Sequence, residues 1–182
     1  MSPNQRITFF DEQFRKQVAS CDFVLNPFEK LALPYLRGRV LDFGCGLGNL
    51  SIEAARRGLE VVAVDASETA VAHIRRAASA ENLKIDAVCA DILDYAIPGK
   101  FDTVVAIGLL MFFRREQALE LLTRIQNHVA VGGLAIVNVL IEGTTFMGMF
   151  EPGNYYLFGR NELEERFVGW NILQRVRDSF DA

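Results

Sequence analysis

Cysteine, histidine and tryptophan are scarce in this chain of 182 residues, which holds 3, 2 and 1 of them. Cys21, Cys45 and Cys89 form an odd set at wide spacing. That excludes a full disulfide framework and leaves no CxxC metal pair. Neither His73 nor His128 has carboxylates at ligand spacing beside it, so no metal is expected. Long apolar runs are also missing. The uncharged stretch Asn127–Ile141 contains Gly132-Gly133 and falls short of the roughly 18 residues of a membrane span. Met1-Ser-Pro-Asn-Gln-Arg lacks the apolar centre of a signal peptide. Together these absences lead us to expect a cytoplasmic protein with reduced thiols and no membrane partner. Lysine is rare, with Arg supplying 15 of the 19 basic residues, and the net charge is -4. The basic residues are scattered, which speaks against a nucleic-acid-binding face.

What is present is a core. Hydrophobic residues make up 51% of the chain and charged residues 23%, a globular composition. The length suits a single domain over 1–182. From Arg39 onward, short apolar runs alternate with helical stretches. Val40–Phe43, Val61–Val64, Ile85–Val88, Thr103–Ile107 and Leu134–Leu140 read as strands. Several are apolar on both faces, the habit of a parallel sheet covered on both sides. Helices are expected from Asn49 to Arg57, from Glu68 (capped by Ser67) to about Ser79, and from about Arg115, where Ala118, Leu121, Leu122, Ile125 and Val129 form a stripe. The alternation predicts an α/β, doubly wound, mostly parallel sheet with helices on both faces. Residues 1–38 fall outside that rhythm and read as a helical lid. Phe10, Phe14 and Val18 recur at helical spacing, and Asn26-Pro27-Phe28-Glu29 starts a second helix. Residues 39–182 form the sheet-bearing core. Ile141–Arg160 is a long loop rich in Gly, Met and aromatics.

The chemistry is carried by Asp42-Phe43-Gly44-Cys45-Gly46-Leu47-Gly48, at the junction of the first strand and the first core helix. The glycines let the chain turn with nothing projecting, and the following helix points free N–H groups at a ligand. Asp65 ends the second strand, where a carboxylate can accept both hydroxyls of a ribose. The glycine spacing departs from the GxGxxG of dinucleotide sites, and Asp42 would repel a pyrophosphate. A carboxylate there suits an ammonium group, which S-adenosylmethionine carries. This favours S-adenosylmethionine over NAD, with an NAD-binding oxidoreductase as the less favoured reading.

With these residues the chain resembles the class I S-adenosylmethionine-dependent methyltransferases over nearly its whole length. The resemblance implies a Rossmann-like sheet and a role for each motif residue. Asp42, Gly44, Cys45, Gly46 and Gly48 would hold the methionine part, Asp65 the ribose and Ala66 a side of the adenine. Asp91 and Ile92 after the third strand would bind the adenine, and Ile107 and Gly108 would lie near the reacting methyl. Phe101-Asp102 and Gly132-Gly133 are further family marks. Gly108-Leu-Leu-Met-Phe112 and Asn161-Glu-Leu163 with Trp170 are similar to the small tellurite-resistance and thiopurine-type branch. The family sheet has seven strands. Five are legible here, with a sixth at about Ile172–Val176, and the final strand is expected to be missing. An uncovered edge there would invite association, so a monomer or a homodimer is expected.

The activity implied is methyl transfer to a small-molecule acceptor, whose site would draw on Phe10, Phe28, Met111, Phe112, Phe146 and Tyr155. No histidine falls near Gly108–Phe112, so a catalytic residue is not identifiable. A soft or already ionised nucleophile, such as a thiolate or a chalcogen oxyanion, is favoured. A non-catalytic cofactor-binding or interaction module is the alternative from another class.

Overall fold

The computed structural model describes residues 3–145, 147–148, 150 and 152–177. Five parallel strands make one sheet: β1 (Arg39–Phe43), β2 (Glu60–Asp65), β3 (Ile85–Cys89), β4 (Phe101–Ile107) and β5 (Val129–Asn138). Their spatial order is β3-β2-β1-β4-β5. Among the described residues, six α-helices surround them: α1 (Pro3–Ser20), α2 (Pro27–Ala32), α3 (Asn49–Arg56), α4 (Glu68–Glu81), α5 (Arg115–His128) and α6 (Glu162–Glu165).

The period-two register of the strands divides the core in two. Leu41, Phe43, Val62, Val64, Val104 and Ala106 face the side covered by α5, where Ala118, Leu121, Leu122 and Ile125 are buried. Val40, Val61, Ala63, Ala87 and Val105 face the other side, against Leu50, Ala54 and Ala55 of α3 and Val71 and Ile74 of α4. Burial on both faces explains why these strands read as continuous apolar runs. Asp42 shares its face with Val40, so its carboxylate meets α3 and accepts a 2.6 Å hydrogen bond from Ser51 Oγ.

Local signals set the helix ends. Asn26 and Glu29 close a full capping box on α2, and Ser67 Oγ accepts from Ala70 N–H at the start of α4. Past α2 the chain continues as a 3₁₀ turn, Leu33–Tyr35, that carries Pro34.

Four expectations are corrected. The fifth strand starts at Val129, not Leu134. Phe101 pairs with Val129 and Thr103 with Leu134, so the intervening residues of β5, with Gly132-Gly133, bulge out of register. Val129 thereby leaves the helical stripe, and the strand ends at Asn138, short of Leu140. Ile172–Val176 is no strand. It has no regular secondary structure and no ladder partner among the described residues, and Ile172, Leu173 and Val176 are exposed. The local pattern allows a strand, but strand structure requires a neighbour to pair with.

Candidate cofactor site

The sheet order reverses at β1 and β4, the position where open parallel sheets bind ligands beyond their carboxyl ends. A cavity of about 320 Å³ opens there. All eleven residues predicted for the cofactor line it: Asp42, Gly44, Cys45, Gly46, Gly48, Asp65, Ala66, Asp91, Ile92, Ile107 and Gly108.

The glycine turn is shaped by its neighbours. Gly44 has φ +77°, and a Cβ there would sit 2.6 Å from Leu109 Cδ1. Gly48, at φ +70°, caps α3, and its Cβ would meet Ile74 of α4 at 2.6 Å. The turn is tied to the second strand through Asp65. One carboxylate oxygen accepts from Gly46 N–H and the other from Ser67 N–H, both at 2.9 Å. Asp91 Oδ1 accepts from Leu93 N–H at 2.9 Å and sets the turn after β3.

Four carboxylates line the cavity: Glu29, Asp42, Asp65 and Asp91. No Lys, Arg or His lies among the described lining residues. Burial dominates the electrostatics. It pushes the Asp42 carboxyl up to about 7, against the Ser51 hydrogen bond, with the charges of Glu29 and Asp65 adding to the rise. Burial also raises Asp65, against hydrogen bonds from Ser67, Gly46 and Ala66. Burial and the nearby carboxylates hold the Cys45 thiol well above its ordinary value, so it is protonated and inert.

Helix α1 closes the cavity from above with Ile7, Phe10, Phe14 and Gln17. It is latched to α4 by Asp11, whose Oδ1 accepts from Ser67 Oγ at 2.5 Å and Thr69 N–H at 3.1 Å. Phe10 meets the Phe112 ring edge-on, with centroids 4.7 Å apart. Phe112 packs at a tilt against Phe150, and Phe150 against Tyr155, with centroids 5.2 Å apart in each pair.

The residues predicted for the acceptor therefore separate. Phe10 and Phe112 line the cavity. Met111 is buried in the core behind it. Phe28 lines a second cavity, beside β5, because α2 turns that side chain away from the glycine turn. Tyr155 reaches the first cavity only through the aromatic chain. Phe146 lies outside the described residues. Tyr35 and Tyr156 spend their hydroxyls elsewhere, on Gln174 and Glu162. Sequence reasoning missed Glu29 and Asn49. Glu29 reads as a cap, and Asn49 lies one residue beyond the glycine motif.

Comparison with known proteins agrees with this geometry. A family model described as a methyltransferase domain matches residues 40–133. The probable S-adenosyl-L-methionine-dependent methyltransferase TehB of Haemophilus influenzae is 30% identical over 136 residues, covering 75% of this chain and 47% of that protein. Magnesium-protoporphyrin O-methyltransferase of Rhodobacter capsulatus is 36% identical over 96 residues, covering 51% of this chain and 42% of that one. The crystal structure of TehB from Haemophilus influenzae superposes with a TM-score of 0.69 at 25% identity, over 83% of this chain and 52% of that one. The chain spans about half the length of these relatives. The glycine turn, Asp65 and the matched residues assign the chain to one group: it belongs to the methyltransferase-domain family.

Proposed function

We infer that this chain transfers the methyl group of S-adenosyl-L-methionine to a small-molecule acceptor. The observation that carries the reading is the cavity at the β1/β4 switch point, where the glycine turn, Asp65 and Asp91 converge with no cationic side chain among the described lining residues. Bound there, the cofactor supplies a methyl group already activated on a sulfonium.

The chain's own groups bind, orient and exclude water. Asp42 and the Gly44–Gly48 turn hold the methionine part. Asp65 takes the ribose hydroxyls with the lone pairs that the Gly46 and Ser67 amides leave open. Ala66, Asp91 and Ile92 hold the adenine, and Ile107 and Gly108 flank the methyl. Residues 3–38 act as the lid of a single domain, and Phe10 and Phe112 wall the acceptor and keep water out. Displacement at the methyl carbon is in-line, so alignment is the main demand on the protein.

No His, Lys or Tyr is among the described lining residues, so the acceptor either arrives already ionised or gives its proton to one of the carboxylates. A soft nucleophile such as a thiolate or a chalcogen oxyanion fits that requirement, and the four carboxylates disfavour the more highly charged members of that class.

Calorimetric titration with S-adenosylmethionine and S-adenosylhomocysteine, with NADH as control, tests the cofactor. An acceptor screen that starts with thiols and chalcogen oxyanions tests turnover. Asp65→Ala is expected to weaken cofactor binding by about 1–3 kcal/mol. Undiminished affinity in that variant would remove Asp65 from the site, and cofactor binding with no turnover on any acceptor would favour the binding-module reading.

A further inference from the structure

Arg124 stands on the flank of the apolar stripe of α5, one turn after Leu121 and just before Ile125. It is half-buried, and its two terminal nitrogens give their bonds to the carbonyls of one short loop. Nη1 donates to Ile92 O at 3.1 Å and to Leu93 O at 2.9 Å, and Nη2 donates to Tyr95 O. The guanidinium also lies 5.7 Å from the centre of the ring of Phe43, the last residue of β1 before the glycine turn.

The loop follows β3, which stands at the end of the strand order, so no ladder holds it. Its N–H groups are satisfied locally. Ala90 donates to Asp65 O, Leu93 to Asp91 Oδ1, and Asp94 and Tyr95 to Asp91 O. Three of its carbonyls depend on Arg124. A planar fork with two separated nitrogens can serve all three at once, which a single ammonium cannot do in the same geometry. Asp91 and Ile92 line the cavity, whereas Arg124 does not, so Arg124 reaches the site only through the loop. An ionised carboxylate accepts hydrogen bonds and donates none. At Asp91 it favours a base edge that offers an N–H, as the amino group of adenine does, and opposes the carbonyl oxygen that hypoxanthine carries there. Such discrimination requires the carboxylate to be held in place.

We propose that Arg124 is a positioning residue for base selection: by holding the carbonyls of Ile92, Leu93 and Tyr95 it fixes Asp91 at the cavity and makes the site prefer an adenine nucleoside to a hypoxanthine one. The proposal rests on the cofactor reading above.

Calorimetric titration with S-adenosylhomocysteine and S-inosylhomocysteine tests it, in Arg124→Met, Asp91→Ala and the double variant. Arg124→Met is expected to lose about tenfold in affinity for the adenine compound, the scale of one hydrogen bond to a charged group, and to keep its affinity for the hypoxanthine compound. In the Asp91→Ala background the same substitution should cost nothing further, because the two residues act as one unit. Arg124→Lys keeps the charge and the stem but brings one nitrogen, so its preference for adenine should fall as well, by less. An equal loss for both ligands, additive losses in the double variant, or an unchanged preference in Arg124→Met and Arg124→Lys alike overturns the proposal and leaves the cofactor reading standing. Undiminished affinity of Asp91→Ala for the adenine compound overturns it too, by removing Asp91 from the base. Failure of the unaltered protein to bind S-adenosylhomocysteine overturns both the proposal and the cofactor reading.

Discussion

Asp42 concentrates the electrostatics of the site in one residue. Its carboxyl is raised to about 7 by burial, with the Ser51 hydrogen bond opposing and the charges of Glu29 and Asp65 reinforcing. The linkage follows from which state holds the proton. Below about pH 4 the group is protonated in both folded and unfolded chains. From there to about 7 the folded protein keeps a proton that the unfolded chain has lost, so stability falls as pH rises through that window. Glu29 and Asp65 are raised as well and contribute with the same sign. In the ligand-free protein, Asp42→Asn is therefore expected to flatten the decline of melting temperature with pH, as scanning calorimetry would record. A cationic ligand favours the ionised carboxylate. Affinity for S-adenosylmethionine should accordingly rise with pH up to about 7 and then level off, with a proton released on binding below that point. Titrations in two buffers of different ionisation enthalpy measure the proton directly. A pH-independent affinity would mean that Asp42 stays neutral in the complex.

At the level of elements, α1 decides access. Ile7, Phe10, Phe14 and Gln17 roof the cavity, and the polar attachment of the helix to α4 centres on Asp11. Arg15 adds an ion pair to Asp11 at 2.8 Å, with Arg15 itself largely exposed. Asp11 bonds Thr69 N–H, one of the donors that the first turn of α4 leaves without a helical partner. Removing it should free the roof before it harms the sheet. Asp11→Ala is expected to speed cofactor dissociation severalfold, at a stability cost of about 1 kcal/mol. Stopped-flow dissociation and thermal melting separate the two effects. The helix itself is legible from Phe10, Phe14 and Val18, because helical periodicity is a local property. Its partner is not legible, because Asp11 and Ser67 are far apart in the chain and meet only once β1 and β2 have placed α4.

At the scale of the whole molecule, the sheet ends on β5. No strand pairs with the outer edge of β5 among the described residues. A cavity of about 350 Å³ is lined by that edge and by residues 171–177. Leu173 and Val176 stand exposed beside it. Unpaired edges with apolar neighbours promote aggregation, and lysine is the side chain that blunts them. Leu173→Lys is expected to slow heat-induced aggregation, followed by light scattering, while leaving the melting temperature and cofactor affinity unchanged. If the variant aggregates at the original rate, this edge is not where chains meet.

The sequence by itself determined the alternation of strands and helices, the parallel sheet covered on both faces, and the glycine turn with Asp42 before it and Asp65 at the end of the second strand. Each of these is written in spacing over a few residues: period two or unbroken apolar runs for strands, 3.6 for helices, and small residues where a turn must be bare. Only the tertiary structure decided what depends on neighbours remote in the chain. It placed Glu29 and Asn49 with Asp42 around one cavity, turned Phe28 toward another, and left Ile172–Val176 without a strand partner. A strand requires pairing, and a binding residue requires the others that face the same ligand. Both are relations between distant segments, and local spacing carries no record of them.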